Sequence, residues 1–204
     1  PTRNFQDGQF AGADKITGAT MRDTILIDRE GCYACPVRCK RVVRVDDAEY
    51  QVNPIYGGPE YETTAAFGSN CGVDDLRAIA KAHEICNAYS LDTISTGMAV
   101  AFAMECYEAG LLTKEMTGGL ELNFGNAAAM VELTRLIGER QGIGDLLAEG
   151  PRRAAAKIGP KAFDLVVDVK GQPFPMHECR TRHGQALGYA VSPTGADHVH
   201  NFWD

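Results

Sequence analysis

A chain of 204 residues, 45% apolar and 23% charged, carries enough apolar surface for a packed core, which excludes a disordered or fibrous protein. Its formal charge of -7 and the lack of a Lys/Arg stripe exclude nucleic-acid binding by counterion displacement and favour small-molecule chemistry. No run approaches the ~20 apolar residues that cross a bilayer, the nearest being "MAVAFAM" at 98–104, and "PTRNFQDG" is no signal peptide, so the chain reads as soluble and cytoplasmic.

The first seventy residues are punctuated by Gly and Pro and read as loop and strand, with short β-like runs at "DTILIDRE" and "KRVVRVD". From Asp74 the pattern turns helical: Leu76, Ile79, Ala80, His83 and Cys86 recur on one face, and this helix stops near Tyr89. "STGMAVAFAMECYEAG" predicts a second helix, apolar nearly all round and therefore buried, with Ser95 or Thr96 as N-cap and Gly110 at its end. A third is opened by Asn126 and closed by Gly142, burying Met130, Leu133 and Ile137. A fourth covers 144–158, kinked or split at Gly150-Pro151. "AFDLVVDVKG" reads as one strand, and everything from Gln172 onward as irregular loop, holding four of the five histidines. The predicted class is mainly α, an irregular helical domain with a few short strands. No internal repeat or linker divides it, and its lack of an initiator Met and its ending at "ADHVHNFWD" read as cuts through a longer protein.

Seven cysteines are an odd number, sparse for a secreted disulfide scaffold, and three crowd into eight residues; a metal centre in a reducing compartment fits better. Within "GCYACPVRCKR", Cys32, Cys35 and Cys39 form a C-x2-C-x3-C array. Close thiolates select iron–sulfur clusters, zinc or copper(I). The spacing suits three corners of a 4Fe-4S cubane, whereas zinc sites more often present two separate C-x2-C knuckles. Arg38, Lys40 and Arg41 either form a solvated turn or offset the negative charge of a thiolate-ligated cluster. Cys86 and Cys106 lie on apolar helix faces and read as core residues. Cys71 and Cys179 lie in loops and stay open as a fourth ligand; a zinc-stapled, non-catalytic interaction module would place one of them beside the other three.

Six phrases in order, "PTRNFQDG", "GCYACPVRCKR", "GPEYET", "SLDTISTG", "PMHE" and "ALGYAVSPTGADH", resemble the tungsten-containing aldehyde:ferredoxin oxidoreductase family from Pro1 to about His198. The resemblance implies a helical, cluster-binding part spanning 1–204 of a larger multidomain oxidoreductase, with a β-rich pterin domain before Pro1 and the fourth cluster cysteine after Asp204. It implies oxidation of small aldehydes to carboxylic acids with water at a tungsten (or molybdenum) bis-pterin centre, electrons passing through the 4Fe-4S cluster to ferredoxin, with family members both monomeric and homo-oligomeric. Cys32, Cys35 and Cys39 would then be cluster ligands. "NAYSLD" matches the family's D-x-x-G-L-D pterin motif at Leu91 and Asp92, with Asn87 and Ser90 replacing its Asp and Gly. Asp92 would accept pterin N–H bonds, or serve only as a turn or cap.

The family places a carboxylate from "GPEYET" beside the tungsten, here Glu62 in preference to Glu60; the two would face one side if the segment were extended. Burial would raise the pKa of that carboxylate and suit it to take a proton from water. A His of "GADH" falls on His198, which would polarise the substrate carbonyl. His200 offers a rival His-x-His zinc pair, and His177 and His183 are pocket candidates. A family relative acting on another substrate, such as an aromatic thioester, fits the same residues.

Overall fold

The computed structural model describes residues 1–199; His200, the second half of the predicted His-x-His pair, lies outside them. Helix α1 (Gly18–Thr24) is opened by Thr17, whose side chain accepts the Thr20 N–H. Strands β1 (Leu26–Glu30) and β2 (Lys40–Val43) pair antiparallel on either side of the cysteine array, and β3 (Val45–Asp46) pairs with β4 (Gln51–Val52). Then come α2 (Tyr61–Phe67), α3 (Leu76–Ala88), α4 (Thr93–Glu108), α5 (Ala127–Glu139), α6 (Ile143–Leu147) and α7 (Pro151–Ile158). The short pair β5 (Asp168–Val169) and β6 (Gln172–Pro173) precedes α8 (His183–Val191). The mainly helical class holds, and among the described residues no helix is long and apolar enough to cross a membrane.

Local chemistry explains most boundaries. Asp75, Asp92 and Asn126 each turn a side-chain oxygen onto the backbone N–H of the first turn that follows, satisfying a donor that a helix start leaves unpaired. The fourth predicted helix is split into α6 and α7, because Pro151 lacks the N–H to continue the first and is suited to open the second.

Four expectations are corrected. The N-cap of α4 is Asp92, not Ser95 or Thr96: its Oδ2 accepts the Ser95 N–H at 2.7 Å, so the helix starts earlier, at Thr93. The first seventy residues also contain α1 and α2, helices of seven residues each, too short to show the 3.6-residue period. Of "AFDLVVDVKG", only Asp168 and Val169 pair as strand; the 3-10 helix Pro160–Leu165 takes the start, since Pro160 sets a helical φ. The region after Gln172 is not all loop, because α8 buries Gln185 and Tyr189 one turn apart.

The core is built on α4. Met98, Val100, Phe102, Met104 and Cys106 point to different sides, yet all are sealed from solvent. Helices α2, α3, α5, α6 and α7 surround it. Burying each large side chain contributes roughly 1.5–3 kcal/mol, which offsets the weak local propensity of the short helices. Where α2 crosses α4, Gly97 replaces a side chain: a Cβ there would lie 2.6 Å from the Cβ of Ala66. Gly97→Val should therefore cost about 1–3 kcal/mol and lower the thermal midpoint of the full protein, with α2 displaced. Unchanged melting would contradict this close crossing.

Candidate active site

The first turn of α2 gathers several of the candidate side chains. Glu62, its second residue, is half-buried near the positive end of the helix. Its Oε2 accepts the backbone N–H of Met176 at 2.8 Å, and its Oε1 lies 2.7 Å from Nε2 of His177. That second contact is off-axis: Oε1 is sealed from solvent and the imidazole N–H is not squarely aimed at it. Tyr61, the preceding residue, donates its hydroxyl to the carbonyl of Met176 at 2.7 Å and stacks its ring on His177, centroids 5.5 Å apart at 20°. The imidazole of His198 follows, 5.1 Å from that of His177.

Packing holds these groups in place. Met176 is fully buried in a small second core with Ala65, Ala66 and Met98, so the segment carrying His177 is anchored to α2 and α4. Phe174 packs edge-on to Phe5 at 5.5 Å and against Tyr189 at 5.0 Å. Burial, with the charge of Glu62 adding to it, raises the phenol pKa of both Tyr61 and Tyr189. A cavity of about 550 Å³ opens beside His177, lined by Pro1, Tyr61, Glu178, Thr181 and Arg182. A second, about 370 Å³ and largely apolar, lies on the other flank of Tyr61 and reaches Glu60 and Arg41.

The two glutamates do not share a side. They stand at a helix start, where residues two apart point away from one another; Glu60 is exposed at the N-cap position and Glu62 turns inward. His198 joins Glu62, while His183 stays exposed at the start of α8. The residue whose place spacing alone does not reveal is His177. Its only signal is a histidine beside Pro and Met in an apolar phrase, "PFPMHE".

The other predicted residues lie on elements tied to this turn. Val43 donates its N–H to the carbonyl of Gly57 at 3.1 Å, and Arg41 bridges Gly58, so the strand leaving Cys39 lies against the residues that open α2. A side chain at Gly58 would meet Val43 Cγ1 at 2.7 Å, hence the glycine. On the other side, the Thr63 and Thr93 hydroxyls meet at 2.8 Å, setting the Asp92 turn against α2. Asp92 keeps its carboxylate exposed while capping α4, Leu91 packs on the main core, and Asn87 is exposed at the end of α3, its amide donating to the His83 carbonyl at 2.9 Å.

All seven cysteines are free. Cys32 and Cys39 are exposed and Cys35 half-buried on a loop shaped by the Cys35 N–H to Cys32 carbonyl bond (3.0 Å) and by left-handed backbone at Ala34 and Arg38. The guanidinium of Arg41 donates to the Cys39 carbonyl at 3.1 Å. Thiolates around one zinc lie about 3.8 Å apart, from Zn–S bonds of about 2.3 Å in a tetrahedron. Among the described residues, the set of three His, Cys, Asp or Glu ligand atoms within 4.8 Å of one another is Glu62, His177 and His198, and the cysteine array is not so converged. Unpaired thiols spread over an accessible loop fit a polynuclear cluster better than a closed mononuclear site. Cys71 is sealed in the core with its thiol directed at the carbonyls of Ala66 and Gly97.

Comparisons with known proteins show the family. A family model described as "Aldehyde ferredoxin oxidoreductase, domains 2 & 3" matches residues 1–204. The chain belongs to the aldehyde ferredoxin oxidoreductase family. It is 38% identical to the tungsten-containing aldehyde ferredoxin oxidoreductase of Pyrococcus horikoshii, over 99% of this chain and 33% of that protein. It is 39% identical to the Thermococcus kodakarensis enzyme of the same name, over 99% and 32%. An aliphatic sulfonate oxidoreductase, WOR-like subunit, of Pyrococcus furiosus is 35% identical over 98% and 32%. Among solved structures, the active-site complex BamBC of benzoyl coenzyme A reductase with 1,5 dienoyl-CoA matches with a TM-score of 0.64 and 26% identity, over 78% of this chain and 23% of that one. The chain thus spans about a third of the length of the curated relatives it matches. It is part of an oxidoreductase family with tungsten-containing members.

The cysteines fall into two reactive classes. Burial pushes the thiols of Cys86 and Cys106 up to about 12 and raises that of Cys71 as well. In native, metal-free protein at about pH 8, an alkylating reagent should label Cys32 and Cys39 first and leave Cys71, Cys86 and Cys106 until the protein unfolds. Peptide mapping by mass spectrometry reads the order, and early labelling of Cys71 would contradict it.

Proposed function

We propose that this chain is the helical, active-site part of a tungsten-dependent enzyme that oxidises aldehydes with water to carboxylic acids, RCHO + H2O → RCOOH + 2H⁺ + 2e⁻. The observation that carries the reading is the meeting, at one turn of α2, of the Glu62, His177 and His198 cluster with the Asp92 turn on one side and the strand from the cysteine array on the other. Family membership supplies the reaction class.

Cys32, Cys35 and Cys39 would hold three irons of a 4Fe-4S cluster whose fourth ligand comes from elsewhere in the protein; the exposed loop suits electron transfer to ferredoxin, and Arg41 places positive charge beside it. Asp92, with Asn87 and Leu91, would line the pterin: the exposed carboxylate accepts N–H bonds and Leu91 fixes the turn from the core side. When bound, the tungsten (or molybdenum) centre accepts the two electrons and the cluster passes them on singly. The side chains manage protons. Glu62, held by the Met176 N–H, takes the proton that water loses as its oxygen adds to the carbonyl carbon, and His198 donates a hydrogen bond to the carbonyl oxygen.

A second reading has its own support. Likeness to a benzoyl coenzyme A reductase and to an aliphatic sulfonate oxidoreductase favours a relative that acts on a thioester-linked aromatic ring or a sulfonate through the same residues.

Anaerobically purified full-length protein should contain tungsten or molybdenum and about four irons per chain. Metal analysis finding zinc alone would overturn both readings. A panel of aldehydes, aliphatic sulfonates and aryl-CoA thioesters, assayed with a viologen dye, separates them, and turnover of a thioester without any aldehyde would decide for the second. Glu62→Gln should lower kcat by roughly 10²–10⁴-fold, whereas Glu60→Gln should leave it within threefold. Equal losses for the two would remove Glu62 from its role.

A further inference from the structure

We propose that His177 is the positioning residue for Glu62: its Nε2–H donates to Oε1 and, with the Met176 N–H on Oε2, clamps the carboxylate in one orientation toward His198. The inference rests on the proposed role of Glu62 in moving protons. Free rotation of a carboxylate is removed when each oxygen has its own donor, and here the two donors are neighbours on one anchored segment. Tyr61 fixes that segment twice, by its hydroxyl on the Met176 carbonyl and by its ring on the imidazole face. Oε1 is sealed from solvent, and a buried acceptor left without a donor costs about 1–3 kcal/mol, which a side-chain rotation would relieve if the His177 imidazole were removed.

The rival use of the same three residues is a divalent cation held by Glu62, His177 and His198. Two ligand atoms bound to one zinc at about 2.0–2.1 Å lie about 3 Å or more apart. The 2.7 Å between Nε2 and Oε1 is instead a hydrogen-bond separation. Its off-axis direction matches catalytic hydrogen bonds that straighten once substrate fills the site. The separation thus favours a proton between the two atoms over a shared metal.

Two variants of the full-length protein separate the donor from the ring. In His177→Gln, the amide can place an N–H near the position of Nε2; in His177→Phe the stack on Tyr61 survives and the donor is lost. Partners that orient a functional side chain typically contribute about 10–100-fold, so His177→Phe should lose that much in kcat with KM within about threefold, and His177→Gln should recover most of the loss. A phenylalanine variant with wild-type kcat and a wild-type thermal midpoint would overturn the proposal.

The second readout needs no turnover. In ¹⁵N-histidine-labelled protein, loaded or metal-free, the His177 resonance should show the proton on Nε2, and Glu62→Gln should shift it. A proton on Nδ1 alone, or a His177 signal that moves only when Zn²⁺ is added, would sink the idea. Should both His177 variants fail to fold, the tautomer in wild type against Glu62→Gln decides. Absence of tungsten and molybdenum would remove the oxidoreductase reading and leave this measurement to judge the clamp.

Discussion

The opening turn of α2 is the constraint on which the site depends. The half-buried carboxylate of Glu62 takes the Met176 N–H on one oxygen and lies 2.7 Å from the His177 imidazole with the other, and both partners belong to residues more than a hundred positions away. The burial of Met176 beside Ala65, Ala66 and Met98 and the wedging of Phe174 between Phe5 and Tyr189 are what keep the distant segment in contact. The same α2 packs on α4 at Gly97, so the position of the carboxylate is set by the most buried helix of the protein. Core packing therefore sets where this carboxylate stands.

The chain sorts its cysteines by environment. Cys32 and Cys39 are presented to solvent, with Cys35 half-buried between them, on a loop between paired strands, and Cys71, Cys86 and Cys106 are sealed where desolvation holds them as thiols. A soft metal takes accessible thiolates, and a core takes small neutral side chains; one residue type suits either because burial decides its protonation. The net charge of -7 is relieved locally around the array by Arg38, Lys40 and Arg41, which lie within or just after it.

Much of the fold was legible from pattern. The amphipathic face of α3, the all-round apolarity of α4 and the Asn126 cap of α5 are strong periodic signals over thirteen or sixteen residues. The short α1 and α2 were hidden, since two turns carry too few residues to reveal a period, and so was α8 within a Gly-spaced tail. The apolar run at 162–171 read as a strand because composition alone does not separate a buried strand from a 3-10 turn when Pro160 sets the start.

At the site, spacing singled out Cys32, Cys35 and Cys39, whereas Glu62, Asp92 and His198 were singled out by the phrases that resemble the family. Spacing did not distinguish Glu60 from Glu62 by direction, nor raise His177 above the other loop histidines. Those decisions belong to tertiary structure: which carboxylate faces inward follows from α2 being a helix, and which imidazole meets it follows from where the buried Met176 anchors a distant segment. The sequence by itself determined which groups the protein has to offer and the family it belongs to. Only the packed chain decided which of them meet, because contacts between residues over a hundred positions apart depend on the burial of apolar neighbours and leave no period to read.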